Sequence, residues 1–257
     1  MTRVLSGAAL VCLAVGVVWF APPLLFLAVA ELFLVLAFVE YAQLAAATGL
    51  HVPRVAAGTG AVLTSLTIGS TLDLVLATTF VALGALTMWR WQGEPDPVAQ
   101  TAAAVLPSLY LGLPIGAMVS LRASRGREAL FLLMLTVIAS DTGQYYTGRL
   151  AGRRPLAPRI SPKKTVEGAV GGFVIGSLVL TAAGAWWLPG MPVALRALLG
   201  LAVVALGIVG DLFESMLKRS AGLKDSSALI PGHGGILDRI DALLFAAPVY
   251  YVVLKYI

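Results

Sequence analysis

The feature that constrains this chain most is a series of long apolar runs, several of which approach or exceed the roughly 18–20 residues that a helix needs to cross a bilayer. The sequence of 257 residues is 59% hydrophobic and only 12% charged. Soluble domains are typically about 45–50% apolar and about 25% charged. This composition argues against a soluble globular domain and predicts a multi-pass membrane protein.

The apolar runs predict an all-α, polytopic membrane bundle of about nine transmembrane helices, because backbone groups inside a bilayer must hydrogen-bond within the protein. The runs cover residues 4–20, 24–48, 55–70, 72–89, 102–121, 129–147, 168–188, 193–217 and 240–256. We interpret the first run as a retained span rather than a cleaved signal peptide, since Ala21-Pro22-Pro23 is a poor cleavage context.

The acidic residues suggest how the chain is organised. Seven of the 13 Asp and Glu residues follow residue 140, and all seven fall in two polar constellations. We therefore predict scaffold helices over 1–128 and a catalytic region over 129–257, with cytoplasmic loops at 148–167 and 218–239.

Three earlier acidic residues, Glu31, Glu40 and Asp73, lie within or near apolar runs. A charge inside a bilayer is costly unless it is paired. Pairing inside the bundle is the simplest interpretation of these three, and the sequence assigns them no chemical role.

Basic residues between the runs bear on orientation. The loop at 149–164 carries six Arg and Lys residues, which favours the cytoplasmic side, and the loop at 218–239 lies two spans later on the same side. Arg122, Arg125 and Arg127 conflict with this rule if the next run crosses fully. The net charge of +5 falls in such clusters, which points to lipid headgroups or phosphates rather than nucleic acid.

The first constellation begins with Asp141, Tyr145 and Arg149, whose spacing places them on one helical face at a membrane boundary. We interpret Ser161-Pro162 as a helix start with two lysines in its first turn. Cations there oppose the helix dipole unless they share an anion, such as phosphate, with free backbone N–H groups. A solvated basic loop is the alternative. The candidate binding residues are Asp141, Tyr145, Arg149, Ser161, Lys163, Lys164, Thr165 and Glu167.

The second constellation begins at the C-terminal end of the apolar run 193–217. One stripe at helical spacing holds Asp211, Glu214, Ser215 and Lys218. Two carboxylates beside a hydroxyl suit Mg²⁺, which prefers a few carboxylates together with water and substrate phosphate. Asp238 and Asp241 could complete the site, and the loop Pro231–Gly235 has glycines that let backbone approach a ligand closely. The alternative is a structural network of ion pairs.

The residues present favour phosphoryl or nucleotidyl transfer, in which catalysis is mostly positioning and charge neutralisation. The sequence offers phosphate-binding cations, oxygen ligands for a hard metal and glycine-rich loops. Neither a thiol nucleophile nor a Ser–His–Asp triad is evident. His233 is the only histidine near these groups, and one histidine cannot make a zinc site.

Two segments resemble the phosphatidate cytidylyltransferases, also called CDP-diacylglycerol synthases. The first matches without departure and reads Ser215-x2-Lys218-Arg219-x4-Lys224-Asp225-x5-Pro231-x-His233-Gly234-Gly235-x2-Asp238-Arg239-x-Asp241. The second reads Leu156-Ala157-Pro158-Arg159-Ile160-Ser161-Pro162-x-Lys164-Thr165-x-Glu167-Gly168. Val166 replaces the usual Trp, and Gln144 and Ala151 stand where Ala and an aromatic residue are usual.

This resemblance implies a Mg²⁺-dependent membrane enzyme that converts CTP and phosphatidic acid into CDP-diacylglycerol and pyrophosphate. Whether a second cation takes part stays open. It implies a homodimer in a bacterial inner membrane, with the active site facing the cytoplasm. From the residues and the resemblance together we expect these residues to be catalytic: Asp211, Asp238, Lys218, Arg219, His233 and Asp241. The expected metal ligands are Asp211 and Asp238, with Glu214, Asp141 and Asp241 as secondary ligands. Further implied substrate-binding residues are Ser215, Lys224, Asp225, Gly234, Gly235 and Arg239.

Other functions stay open at this point. A CTP-dependent kinase of a lipid alcohol, or cytidylyl transfer to a different lipid phosphate, would use similar groups and differ in its product. An anionic-solute transporter would place charges near the bilayer midplane, often within an inverted repeat. Here no repeat is visible and the charges gather at the ends of the apolar runs.

Overall fold

The computed structural model describes residues 13–93, 96–227 and 234–257. The predicted span at 4–20 is therefore described only in part. His233 and the loop residues before it, from Pro231 onward, lie outside the described residues, so their predicted roles stay predictions.

Helices occupy most of the described chain, and their bounds follow the predicted apolar runs closely. In order they are α1 (residues 13–20), α2 (Pro23–Ala47), α3 (Arg54–Leu66), α4 (Leu72–Arg90), α5 (Pro97–Pro107), α6 (Leu113–Arg125), α7 (Arg127–Ala151), α8 (Val166–Trp187), α9 (Val193–Ser220) and α10 (Leu237–Tyr256). A π-helical turn, Ser108–Gly112, joins α5 to α6 directly after Pro107, whose missing N–H interrupts the helical ladder. The predicted helical fold class is confirmed.

Five helical segments of the described chain are long and apolar enough to cross a membrane. They are Pro23–Ala47, Leu72–Arg90, Pro97–Arg125, Val166–Trp187 and Val193–Ser220. The predicted count of nine spans is not confirmed. With 13 residues, α3 is too short to cross alone. Polar residues reduce the apolar character of two others, since α7 carries Asp141 and Arg149, and the first turn of α10 carries Asp238 and Arg239.

One short hairpin departs from the helical pattern and corrects a prediction. Strand β1 (Pro155–Ala157) pairs antiparallel with β2 (Ser161–Thr165). The interpretation of Ser161-Pro162 as a helix start is therefore wrong. A proline is tolerated in this position because both strands of a two-stranded sheet are edge strands.

The helix start lies instead at Val166, one turn later than predicted. Thr165 caps α8, and its side chain accepts a hydrogen bond of 3.1 Å from the backbone N–H of Gly168. Lys163 and Lys164 consequently belong to β2 and not to a first helical turn. The helix-dipole argument for phosphate binding by these two lysines therefore no longer applies, because neither lysine lies in a helix.

The chain forms two compact units. The first comprises residues 13–22, Leu121–Met216 and Ile240–Ile257 of the described chain, and the second comprises Pro23–Ser120 and Leu217–Arg239. The functional division predicted at residue 128 is a different kind of division and stays a prediction.

Glycines bring the helices of the first unit close together. A Cβ atom added to Gly143 of α7 would lie 2.8 Å from the backbone oxygen of Gly171 in α8. One added to Gly210 of α9 would lie 2.5 Å from the backbone oxygen of Asp241 in α10. Small residues permit such close backbone approach between helices.

We expect Gly143→Ala to destabilise the protein by about 1–3 kcal/mol, because the added methyl meets a backbone atom that cannot rotate away. Gly84→Ala is the matched control, since a Cβ there meets nothing within 4 Å and alanine favours a helix interior by about 0.5–1 kcal/mol. Thermal unfolding in detergent measures both. Equal midpoints for the two variants would contradict this account of the packing between α7 and α8.

Two of the three arginines that conflict with the orientation rule, Arg122 and Arg127, bind the end of α1. Arg122 Nε donates to the Val18 oxygen at 3.0 Å, and Arg127 Nη1 donates to the Trp19 oxygen at 3.0 Å. The Arg127 guanidinium also lies 5.1 Å from the centroid of the Trp19 ring. These arginines satisfy carbonyl groups at a helix C-terminus, so a local structural need explains their position.

Candidate active site

The centre of the first unit's polar residues is an ion pair between the β-hairpin and α9. Lys164 on β2 forms a salt bridge with Asp211. Side chains alternate along a strand, which leaves Lys163 exposed while Lys164 is half-buried. The hairpin that replaced the predicted helix start therefore directs one of the two lysines to a predicted metal ligand.

Two more carboxylates, Asp141 and Asp241, act on this ion pair. We call these four residues the carboxylate cluster: Asp141, Lys164, Asp211 and Asp241. Asp141 comes from α7 and Asp241 from α10. The charge of Asp211 acts on both of these carboxylates, and Lys164 offsets part of the repulsion at each. The close approach of α10 to Gly210 brings Asp241 beside the preceding helix. Three acids from the two predicted constellations thus lie within electrostatic range of one lysine.

The remaining predicted residues of α7 and α9 have these positions. Arg149 Nη1 lies 3.3 Å from the Tyr145 hydroxyl, so the predicted helical face is present. Ser215 Oγ lies 3.5 Å from Asp211 Oδ1. Glu214 is buried, with 1% of its surface exposed, and its role as a metal ligand stays a prediction.

Glu167 holds the base of the hairpin. Its carboxylate accepts hydrogen bonds from the backbone N–H groups of Arg153 and Arg154 at 2.9 and 3.1 Å, and from Arg154 Nε at 3.0 Å. The backbone N–H of Val166 also donates to the Arg154 oxygen at 2.9 Å. Glu167 therefore positions the strand that carries Lys164, while its predicted contact with substrate stays a prediction.

In the second unit we define the loop cluster as Lys218, Ser226, Gly235 and Asp238. Lys218 Nζ donates to Asp238 Oδ1 at 2.6 Å, and the two side chains are 11% and 7% exposed. Asp238 Oδ2 accepts from Ser226 N at 3.0 Å, Ser226 Oγ at 2.6 Å and Gly235 N at 2.8 Å. This predicted metal ligand thus holds together the described ends of a loop.

These contacts decide the ionisation of Asp238. Burial disfavours the charged carboxylate, but the hydrogen bonds from Lys218, Ser226 and Gly235 outweigh it and lower the pKa of Asp238 to about 2. Asp238 is therefore an anion at neutral pH. The stability it contributes is present above its unfolded pKa of about 3.9 and is lost only as the pH falls toward 2.

Other predicted residues of the second unit lie around this cluster. Arg219 Nη1 donates to the Leu223 oxygen at 2.9 Å. A Cβ atom on Gly234, whose φ is +76°, would lie 2.5 Å from Asp238 Oδ2, so this position requires glycine. The exposed residues among those predicted in this unit are Arg219, Lys224, Asp225 and Arg239.

The fit of these residues to Mg²⁺ depends on how many ligands the protein must supply. Among residues 13–93, 96–227 and 234–257, no group of three or more His, Cys, Asp or Glu side chains is arranged to hold a metal ion. Magnesium commonly takes one or two carboxylates and fills its octahedral shell with water and substrate phosphate. The hard oxygen donors of the carboxylate cluster fit that mode of binding.

Sequence reasoning missed two residues that the structure places against the predicted ones. Ser226 bonds to Asp238 through both its backbone and its hydroxyl. Glu40, assigned to the scaffold, accepts hydrogen bonds from residues on either side of the glycine-rich loop. A carboxylate in an apolar run was the one available signal for Glu40, and it did not reveal partners nearly 200 residues away.

Five long apolar helical segments, together with clusters of acidic and basic side chains, are typical of multi-pass membrane proteins with a polar site. The chain belongs to the cytidylyltransferase family, whose model matches residues 1–257. The resemblance stated from the sequence motifs is thereby confirmed.

Bacterial proteins named phosphatidate cytidylyltransferase are similar to this chain and support this membership. The chain is 41% identical to the protein from Helicobacter pylori strain J99 over 160 residues, which is 62% of this chain and 59% of that protein. It is 37% identical to the one from Pseudomonas aeruginosa over 205 residues, 79% of this chain and 71% of the relative. It is 52% identical to the Synechocystis protein over 125 residues, 48% of this chain and 42% of the relative. The alignment with the Helicobacter protein spans under two thirds of that relative.

Proposed function

We propose that this protein transfers the cytidylyl group of CTP to phosphatidic acid and releases CDP-diacylglycerol and pyrophosphate. Family membership and the names of the relatives support the proposal. The observation that carries it is the carboxylate cluster, in which Lys164 pairs with Asp211 and the charges of Asp141 and Asp241 act nearby. Such a cluster offers a cation for the phosphates of a nucleoside triphosphate and hard oxygen donors for the Mg²⁺ that accompanies them.

In the proposed reaction an oxygen of the lipid phosphate attacks the α-phosphorus of CTP. The bond between that phosphorus and the oxygen bridging to the β-phosphate breaks, and pyrophosphate leaves with the electron pair. The nucleophile is already an anion, so the reaction needs no strong general base. The main barrier is repulsion between two polyanions, which lysine and arginine side chains reduce. We assign this role to Lys163, Lys164, Lys218, Arg219 and Lys224.

Magnesium dependence is part of the proposal. Asp211 would be the main ligand, with Asp141 and Asp241 beside it, while Asp238 and Glu214 remain the ligands predicted from the sequence. When bound, the ion supplies positive charge that neutralises phosphate oxygens and stabilises the charge that develops on the leaving group. Lys164, already paired with Asp211, would orient that carboxylate before substrate arrives.

We further propose that the protein lies in a bacterial inner membrane as a homodimer, with its site facing the cytoplasm, where CTP is available. The basic loop at 149–164 supports this orientation. The bacterial origin of the relatives supports the membrane assignment.

The proposal is tested with detergent-purified protein, phosphatidic acid, Mg²⁺ and CTP labelled at either the α- or the γ-phosphate. We expect the α-label to enter the lipid and pyrophosphate to appear, both only when Mg²⁺ is present. A γ-label in a lipid alcohol would instead identify a kinase. Transfer of neither label by folded protein would contradict both enzymatic functions and favour transport.

A further inference from the structure

Glu40 is a buried acid far from the motifs that carry the predicted chemistry. It lies in the apolar helix α2, and 3% of its surface is exposed. A charged side chain within a membrane helix is costly and demands hydrogen-bonding partners. The partners of Glu40 come from the segments that flank the glycine-rich loop.

Each of the two carboxylate oxygens of Glu40 has two hydrogen-bond donor groups within reach. Oε1 accepts from Ser227 Oγ at 2.7 Å and from the backbone N–H of Ile236 at 3.0 Å. Oε2 accepts from Ser226 Oγ at 3.0 Å and from the backbone N–H of Leu237 at 2.8 Å. Each oxygen thus bonds one group before the loop and one group after it.

The two backbone donors belong to the start of α10. Leu237 is its first residue, and the first N–H groups of a helix have no partner within the helix. A carboxylate at this end also interacts favourably with the helix dipole. Glu40 therefore caps α10 from another helix, one residue before Asp238 and two before Arg239.

The same carboxylate is linked to Asp238 through Ser226. The Ser226 hydroxyl lies 2.6 Å from Asp238 Oδ2 and 3.0 Å from Glu40 Oε2, and its single proton can serve one of them at a time. A Cβ atom on Gly235 would collide with Ser226 Oγ and with both oxygens of Glu40. The glycine of the motif is thus required by the close approach of Glu40.

We propose that Glu40 is a positioning residue for the reaction, which fixes Ser226, Ser227 and the first turn of α10 and thereby sets the orientation of Asp238 and Arg239. This inference rests on the proposed function. It assigns a functional role to a residue of α2, a helix in the region that we predicted from the sequence to be scaffold.

The geometry makes a specific distinction between two substitutions. In Glu40→Gln the amide NH₂ group must face either Ile236 N–H or Leu237 N–H, because each carboxylate oxygen accepts from one of them, and a backbone donor cannot reverse. Glu40→Asp is shorter but keeps two acceptor oxygens. If only shape mattered, glutamine would be tolerated better than aspartate; if the four acceptor positions matter, aspartate is the better replacement.

The test compares purified Glu40→Gln and Glu40→Asp with the wild type, and Glu31→Gln is the matched control. Glu31 is a carboxylate on the same helix that accepts a hydrogen bond of 2.7 Å from Ser65. We expect Glu40→Gln to lower kcat about 10²-fold, since small displacements of catalytic groups cost that much, with a smaller change in KM for CTP. Glu40→Asp should retain more activity than Glu40→Gln, and Glu31→Gln should stay within about twofold of the wild type.

A second readout is backbone hydrogen exchange at Ile236 and Leu237. We expect faster exchange there in Glu40→Gln and unchanged exchange in Glu31→Gln. Folded Glu40→Gln with wild-type kcat, or with more activity than Glu40→Asp, would overturn the inference. If the wild type transfers no α-label, the proposed function fails, and the exchange comparison alone then decides whether Glu40 fixes the start of α10.

Discussion

Asp211→Asn is expected to reduce cytidylyl transfer by at least about 10²–10³-fold, the cost of losing one group that stabilises developing charge. The substitution keeps the shape of the side chain and removes one negative charge from the carboxylate cluster. It leaves Lys164 facing a neutral amide instead of the carboxylate that it pairs with. Transfer of the α-label, measured against Mg²⁺ concentration, gives the result.

The fold should survive this change, because the side chains of Lys164 and Asp211 are 21% and 31% exposed and ion pairs near a surface contribute about 0–1 kcal/mol. Asp73→Asn is the matched control, since Asp73 lies exposed in the first turn of α4. Its activity should remain within about twofold of the wild type. A folded Asp211→Asn protein with full turnover would rule out Asp211 as a metal ligand.

The loop cluster gives a second prediction, in which activity and stability both fall. In Asp238→Asn the amide oxygen can keep the hydrogen bonds from Ser226 and Gly235, so the NH₂ group faces the ammonium of Lys218. Breaking a buried ion pair in this way costs about 3–5 kcal/mol. We expect loss of transfer together with a lower unfolding midpoint in detergent.

A double-mutant cycle separates the two effects. Lys218→Met combined with Asp238→Asn should cost less stability than the sum of the single changes, by about 0.5–3 kcal/mol, while all three variants stay inactive. Glu128→Gln, which removes an exposed ion pair with Arg127, should cost no more than about 1 kcal/mol. Strictly additive stability losses would show that the Lys218–Asp238 contact is not an energetic pair.

The helices could be predicted because the constraint that forms them is local. Within the described chain, the apolar runs from residue 24 onward each fall on a helix or, for 102–121, on two helices joined at the π-helical turn that follows Pro107. The hairpin could not be predicted, since Ser161-Pro162 carries the signal of a helix start while the better cap, Thr165, follows four residues later. Pairing with residues 155–157 makes residues 161–165 a strand, so that the helix begins after Thr165. Propensities and capping signals within 161–165 do not contain that pairing.

The site was predictable in its residue types more than in its contacts. Charged groups in an apolar chain identified Asp141, Lys164, Asp211 and Asp241 as candidates, because such groups are costly without a role. Spacing along a helix relates Asp141 to Arg149, but it carries no information about Lys164 and Asp211, which are 47 residues apart. The same limit concealed Glu40, whose donors are 186 to 197 residues away.

This separation along the chain has a consequence for how the protein is made. At about 5–20 residues per second, the ribosome finishes α2 roughly ten to forty seconds before it reaches Ser226 and Leu237. During that interval the Glu40 carboxylate has none of the four donors that hold it in the folded protein. A bare carboxylate in hydrocarbon is too costly to persist, so the nascent helix must leave Glu40 in contact with water until α10 is synthesised.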